Sequence, residues 1–493
     1  MKKALSLLLA CLMLAASLIA CAEKGGTEDS STQAPEISST PAAEETTVEE
    51  ETVAENVRDT LPESANYNDQ YVILSRKATS YEVMTNETSG DIVKDAVSER
   101  NGKIQDRFGA TVEVVELAGD WGDRNDFISH VKNSVNSGKS DYDLIMTHSA
   151  YIVNFGIDGI AYNMKNLEQI DFSKKWWCES YAENVTINNC IYSAIGDIGY
   201  TMYQYMICMF VNKGLAAEYK VDDVYTLVND GKWTFEKMME YAKLVYVDSN
   251  NNGAIDSGDT FGYGLGSHIC RAAPTVFDAQ ITVKNADGKQ EINIPNEKYI
   301  DVYNLMYSTV YDNTQNVTYK DEGANLASEF AAEHIMFYSE RLGLASQFKD
   351  MTSEYGVVPF PKYNEDQENY ISSSRDYMSA IAIPSNIDNP EMVGTVTEAL
   401  CMYGYTVVTP QYYELTLKYK YMSDAQAVQM LDLVRDSLTH DFAMTYTNSL
   451  DLIYSIAGDN VKNGVKDISK TLKASAKLYK NDLEKLYAAY ETK

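Results

Sequence analysis

The sequence predicts an α/β fold in two lobes, and three observations carry that reading. Short runs rich in β-branched residues alternate with helical patterns, the order that builds a mostly parallel sheet flanked by helices. This order begins only near residue 67, after a stretch that could not form a core. About 425 residues then follow, too many for one such lobe.

The chain opens MKKALSLLLACLMLAASLIAC, a basic start, an apolar run and small residues before a cysteine. That is a secretory signal ending in a lipobox, so residues 1–20 read as a lipoprotein signal peptide and Cys21 as the lipid-bearing first residue of the mature chain. The run is short for a membrane helix, and no later segment is apolar enough to span a bilayer. Residues 21–66 read as the lipidated cysteine and a disordered, self-repelling stalk. Residues 22–64 hold twelve acids against two bases, so ten of the 31 net negative charges belong to the stalk. The remainder is still acidic, which argues against nucleic acid and against charge-driven binding to anionic lipid. Membrane contact is expected through the lipid alone, on the outer face of the cell membrane.

Past the stalk, YVILS (71–75), TVEVVE (111–116) and YDLIMT (142–147) read as strands. Between them, DIVKDAVSERNGKIQDRFG (91–109) and DRNDFISHVKNSVNSG (123–138) read as helices that stop at glycine. YMICMFVNK (205–213) is the next strand, and DGKWTFEKMMEYAKLV (230–245) a helix with Thr234 as its N-cap. Strand-like centres follow in residues 329–348, 355–364 and 379–387, and the tail from residue 424 is helical. Cys178, Cys190, Cys208, Cys270 and Cys401 are an odd, scattered set that gives no disulfide framework, and no CxxC or local histidine spacing marks a zinc site.

DSNNNGAIDSGD (248–259) has the spacing of a twelve-residue calcium loop. Asp248, Asn250 and Asn252 stand at positions 1, 3 and 5, Ala254 offers a carbonyl at 7, and Asp256 and Asp259 fall at 9 and 12. Gly253 permits the turn, and Ile255 is expected to pin the loop to a core. Position 12 is Asp rather than the longer Glu, and TFGYGLGS behind it is too glycine-rich for an exit helix. These features predict a fixed structural Ca²⁺ rather than a sensor; an Asx-rich turn without metal is the alternative.

Several stretches in this order resemble the extracellular solute-binding proteins of ABC importers, in particular the large sugar-binding family of the maltose-binding type. They are the lipobox, YDLIMTHSAYIVNFGIDG, YSAIGDI (192–198), FVNKGL (210–215), GKWTFEKMMEYAKLV with its acidic loop, FAAEHIMFYSERL, YGVVPFPKYNEDQ and AIPSNIDNPEM. One departure stands out: Ala332-Glu333 occupies the place where this family often has Gly-Lys. The resemblance implies the two-lobed periplasmic-binding-protein fold of type II, with a ligand cleft between lobes joined by hinge strands. It places the first lobe at 67–203 plus 376–430 and the second at 204–375 plus 431–493. It also implies a monomeric binding protein, not an enzyme, that captures a mono- or oligosaccharide by lobe closure and hands it to the importer's membrane subunits.

A sugar offers hydroxyl edges and a weakly apolar face, which aromatic rings rimmed by planar polar groups would match. Ligands sit beyond the carboxyl ends of parallel strands, which singles out His148, Ser149 and Tyr151 after DLIMT. In the Trp176-Trp177 pair one ring is expected in the core and one free for ligand. Asp197, Tyr200 and Tyr203 precede the first hinge strand, though Asp197 could equally cap a turn. By the resemblance, Tyr338 is the stacking ring, with Glu340 and Arg341 beside it or forming a plain surface pair. Arg375 and Tyr377 fall at the return hinge, and Arg271 lies beyond the calcium loop. Peptides, polyols or other small polar solutes are the alternative ligands. A secreted carbohydrate-active enzyme would need a marked acid and nucleophile, and an adhesion protein would need β-sandwich repeats; neither pattern is present.

Overall fold

The computed structural model describes residues 57–84, 90–418 and 425–491. The signal peptide, Cys21 and the stalk up to residue 56 lie outside the described residues. The strands of the first half are β1 (Asp69–Arg76), β2 (Ala110–Leu117), β3 (Leu144–His148), β4 (Ile207–Asn212), β5 (Tyr246–Val247) and β6 (Thr260–Gly266). After them come β7 (Thr282–Lys284), β8 (Gln290–Ile292), β9 (Val317–Lys320), β10 (Ile335–Arg341), β11 (Tyr355–Val358) and β12 (Ser379–Ala382).

They form two principal sheets. In the first, ordered β12-β3-β1-β2, β1 lies parallel to both β2 and β3, and β12 returns antiparallel to β3. Central β1 buries Tyr71, Ile73 and Leu74 on both faces, as a helix-covered parallel strand must. Edge strand β2 instead turns Glu113 to solvent between half-buried valines, which discourages pairing with another chain. The helix Ile92–Phe108 joins them, capped by Asp91, whose side chain accepts from the Val93 and Lys94 amides, and ended by Gly109 at φ 64°. The second sheet runs β11-β4-β10-β6-β5, with β9 also on β6; β10 is parallel to β6 and antiparallel to β4.

Glu333 occupies the turn before β10 at φ 67°, a conformation that favours glycine. Its carboxylate accepts from the Thr352 and Ser353 amides and the Ser353 hydroxyl, bonds that hold the turn without glycine there.

Three segments connect the sheets. Met206 and Ser374 form an antiparallel bridge, flanked by bonds from Ile207 N to Ser373 O (2.8 Å) and from Arg375 N to Tyr205 O (2.9 Å). A third segment joins them where Ser372 N donates to Ser437 O (3.0 Å) and Thr439 N to Ser372 O (2.8 Å).

Two boundaries differ from the sequence reading. The stalk was expected to extend to residue 66, yet Leu61 is buried and Asp59 pairs with Arg107 at 2.9 Å, so an apolar contact and an ion pair dock its last residues on the first lobe. The tail beyond residue 431, expected on the second lobe alone, is shared. Tyr490 of the helix Ser469–Glu491 packs against Tyr192, while the Tyr487 hydroxyl accepts from Gln290 N of β8 at 2.6 Å. Amphipathic tyrosines on one helix satisfy partners on both sides.

Candidate functional site

The parallel strands of the two sheets end around the crossing segments. Arg76 closes β1, Asp120 and Trp121 follow β2, and His148 closes β3. From the other sheet come His268 after β6, Glu322 after β9, and Glu340 and Arg341 at the end of β10. Hinge residues Tyr205, Arg375 and Tyr377 join the two groups. Arg76 Nη2 donates to Tyr377 O at 2.7 Å, and the His148 and Tyr377 rings lie 4.8 Å apart. The Tyr205 ring lies 6.2 Å from Tyr377, with the Arg341 guanidinium 5.7 Å from its centroid. Such a junction of strand ends is where open α/β sheets hold ligands.

His148 is fully buried and caps the helix Ser149–Ile152, its Nδ1 accepting from Ala150 N at 3.2 Å. That bond leaves the proton on Nε2, which has no partner among the described residues. Burial and nearby Arg76 hold the imidazole well below its ordinary pKa, so it is a neutral donor at physiological pH. Stacked on Tyr151 and close to Trp121, it is oriented by packing rather than by charge.

Across the hinge, Glu340 is fully buried, with Oε1 3.1 Å from His268 Nε2 and accepting from Arg341 N at 2.9 Å. Arg341 Nη1 lies 3.7 Å and Arg375 Nη1 4.0 Å from the same oxygen. Burial works to raise its pKa, but His268 and Arg375 outweigh it and hold the carboxyl below the usual range. Gly323 makes room here: a Cβ would stand 2.8 Å from the His268 ring and 3.0 Å from Glu340 Oε2.

The structure brings together seven of the residues expected from sequence: His148, Ser149, Tyr151, Glu340, Arg341, Arg375 and Tyr377. Ser149 donates to Asp376 O at 2.8 Å, and the Tyr151 hydroxyl donates to Gly119 O at 2.6 Å, so these two brace the hinge and the strand ends. Arg271 stands at the border, its Nη2 2.8 Å from Asp459 and its charge felt by Asp376.

The others lie elsewhere. Tyr338, expected as the stacking ring, is buried among Phe210, Phe330 and Phe348 and donates to Gly323 O at 2.8 Å: it faces the core side of β10. Trp176 and Trp177 do not divide into one buried and one free ring. Both are buried, and their indole N–H groups donate to the two oxygens of Glu398 at 2.8 and 2.9 Å. Asp197 accepts from Tyr203 at 2.7 Å and Thr409 at 2.6 Å, and burial raises its pKa to about 7. Tyr200 packs on Tyr412. Tyr203 and Trp177 instead line a separate groove of 1040 Å³ with Tyr413 and Arg435.

Trp121, Arg76, Tyr205, His268 and Glu322 were missed. The strand-end rule that finds His148 would have found Trp121 too, had it been applied to 111–116, whereas Glu322 follows β9, a strand the sequence reading does not mark.

The loop at 248–259 folds as a self-bonded turn. Asp248 accepts from Asn252 N (3.2 Å) and Gly253 N (2.8 Å), and Asp256 from the amides of Asn250 (2.9 Å) and Asn252 (2.7 Å). Asp259 is buried and accepts from Ser249 N and Asp256 N. Ile255 is 51% exposed, so it does not pin the loop; the buried Asp259 and Tyr246, which donates to it at 3.3 Å, do. Among the described residues no three His, Cys, Asp or Glu side chains are grouped as a metal site.

Solved structures of similar shape share this architecture. The galacto-N-biose/lacto-N-biose I-binding protein of a Bifidobacterium longum ABC transporter, solved with lacto-N-biose, matches 85% of this chain and 98% of its own at TM-score 0.55 and 12% identity. An ABC substrate-binding protein of Listeria monocytogenes in complex with cycloalternan matches 85% and 99% at TM-score 0.54 and 14% identity. The chain has the two-lobed binding-protein fold. A Thermotoga lettingae solute-binding protein bound to α-D-tagatose gives TM-score 0.55 at 12% identity over 84% of this chain and 99% of that one. No protein-family profile and no curated protein sequence matches the chain. Among the described residues no helix is long and apolar enough to cross a membrane.

Proposed function

We propose that this chain is the solute-binding component of an ABC importer, tethered by a lipid on Cys21 to the outer face of the cell membrane, and that it captures a saccharide by closing its lobes. The observation that carries the reading is the junction itself. Half-buried rings of Trp121, Tyr205 and Tyr377 stand beside the unpartnered His148 Nε2 donor and the planar donors of Arg341 and Arg375. Rings suit the C–H face of a sugar, and fork-shaped donors with the carboxylates of Asp120 and Glu322 suit its hydroxyls. The similar structures solved with lacto-N-biose, cycloalternan and tagatose support the same class. Binding without catalysis accounts for these residues, because a donor-rich cleft needs no acid and nucleophile pair.

Calcium belongs to the same proposal as a brace, not a ligand. Asp248, Asn250, Asn252, Asp256, Asp259 and the Ala254 carbonyl supply enough oxygens for one ion, provided the Asn250 and Asn252 amides turn from donating to Asp256 to presenting oxygen.

The test is thermal unfolding of the mature protein, with calcium, against mono- and oligosaccharides. A ligand at 100 times its Kd adds roughly 2.7 kcal/mol and raises Tm measurably. Small-angle scattering should show compaction with the same ligand; unchanged scattering at saturation rules out lobe closure, and a flat panel rules out the saccharide.

A further inference from the structure

This acidic chain has nine arginines, and five of them, Arg76, Arg124, Arg271, Arg341 and Arg375, surround the junction. Most arginine side chains in the molecule are well supplied with acceptors. Arg76 donates to Tyr377 O, Arg100 to Ile198 O and Glu82 O, Arg107 to Asp59 and Pro62 O, and Arg435 to Asp436, while Arg271 donates once, to Asp459, and leaves its buried Nε without a partner among the described residues. Arg341 and Arg375 differ. Their carboxylate contacts, at 3.6 to 4.0 Å, are too long for hydrogen bonds, and among the described residues neither guanidinium donates one.

The charges around them do not close. Glu340 is the one fully buried carboxylate within 4.0 Å, and it is shared by Arg341, Arg375 and His268. Glu322, the other partner of Arg375, is 63% exposed, so solvent screens it. Asp376 adjoins them and burial raises its pKa, but among the described residues its carboxylate forms no ion pair within 4.0 Å with either guanidinium. Two guanidinium groups, 24% and 13% exposed, thus share one buried negative charge. Partly desolvated cations with unused planar donors are the standard recognition surface for a carboxylate or sulfate.

Building on the proposed saccharide reading, we infer that the saccharide held in this cleft carries an anionic group, a uronate carboxylate or sulfate ester, set against Arg341 and Arg375. A neutral sugar satisfies the donors but leaves the surplus positive charge uncompensated in a half-buried place. An acidic one supplies both the acceptors and the charge, and Tyr205 and Tyr377 beneath the two guanidiniums hold their planes in orientation.

The experiment is calorimetric titration of the full mature protein with matched pairs: glucose, galactose and mannose as monomers and trimers, the corresponding uronates, and galactose 6-sulfate. At least one acidic sugar should bind 100-fold or more tightly than its neutral parent at low salt, and the advantage should shrink about tenfold or more between 50 mM and 500 mM NaCl. Arg341→Gln should narrow that ratio at least tenfold, with Arg341→Lys intermediate because it keeps the charge and loses the fork. A uronate preference assigns the carboxylate and a preference for the 6-sulfate assigns the ester. A neutral parent that binds as tightly as its acid overturns the anionic inference and leaves the saccharide reading standing. No binding by any sugar to folded protein overturns both.

Discussion

Replacing Glu398 with Gln should flatten the pH dependence of stability. Its carboxylate accepts both Trp176 and Trp177 indole protons inside the first lobe, and burial raises its pKa from 4.5 to about 8, although the two indoles pull it down. The folded protein therefore keeps this proton up to about pH 8, whereas the unfolded chain gives it up near 4.5. Stability from this group is fully present below pH 4.5 and falls as pH rises towards 8. At about 1.4 kcal/mol per pH unit, the loss across that window is roughly 3 to 5 kcal/mol. Gln stays neutral, so Glu398→Gln should lose most of that slope while losing one indole bond, about 1–3 kcal/mol at pH 5. Urea unfolding from pH 5 to 9 measures the slope, and tryptophan emission should titrate near pH 8 in the parent alone. A variant whose slope matches the parent's would show that Glu398 ionises normally and that burial does not govern it.

Other perturbations separate core from cleft. Tyr338→Phe should cost about 1 kcal/mol in urea unfolding, from the lost bond to Gly323, with ligand affinity by calorimetry unchanged. Tyr377→Ala, which removes the ring beside His148, should weaken saccharide binding by at least tenfold while Tm moves little, read by calorimetry and thermal unfolding together. A chelator should lower Tm by several degrees with saccharide affinity held within twofold, since at 100 times its Kd calcium adds roughly 2.7 kcal/mol; an Asp248→Ala variant should no longer respond to the ion.

Local features of the fold were readable in the sequence. The strand runs at 71–75, 111–116 and 142–147, the Gly109 stop and the Thr234 cap are written in adjacent residues, and the structure has them. His148 was reachable because strand ends follow from strand order, whereas Arg341 and the hinge position of Tyr377 came through the resemblance. What was not legible depends on distant partners. One ring of the Trp176-Trp177 pair was expected to be free because Glu398, which holds both, lies 222 and 221 residues further along. Tyr338 was expected as the stacking ring through the resemblance, and alternation along β10 could not correct it because it does not say which face Phe330 and Phe348 will cover. His268 was passed over because its meaning comes only from Glu340, on a neighbouring strand.

The backbone bond between Arg375 N and Tyr205 O has a consequence for how such a protein changes its diet. The side chains that would greet the solute grow from the same few residues on which the lobes would swing, so recognition and mechanics occupy one piece of chain. Under the proposed lobe closure, an exchange there that suited a new solute would also reset how readily the empty protein closes. Trp121, rooted in the loop beyond β2, lies outside the crossing segments, so under that closure selectivity would drift there with less effect on the swing than at Glu322, which pairs with Arg375 at 3.6 Å.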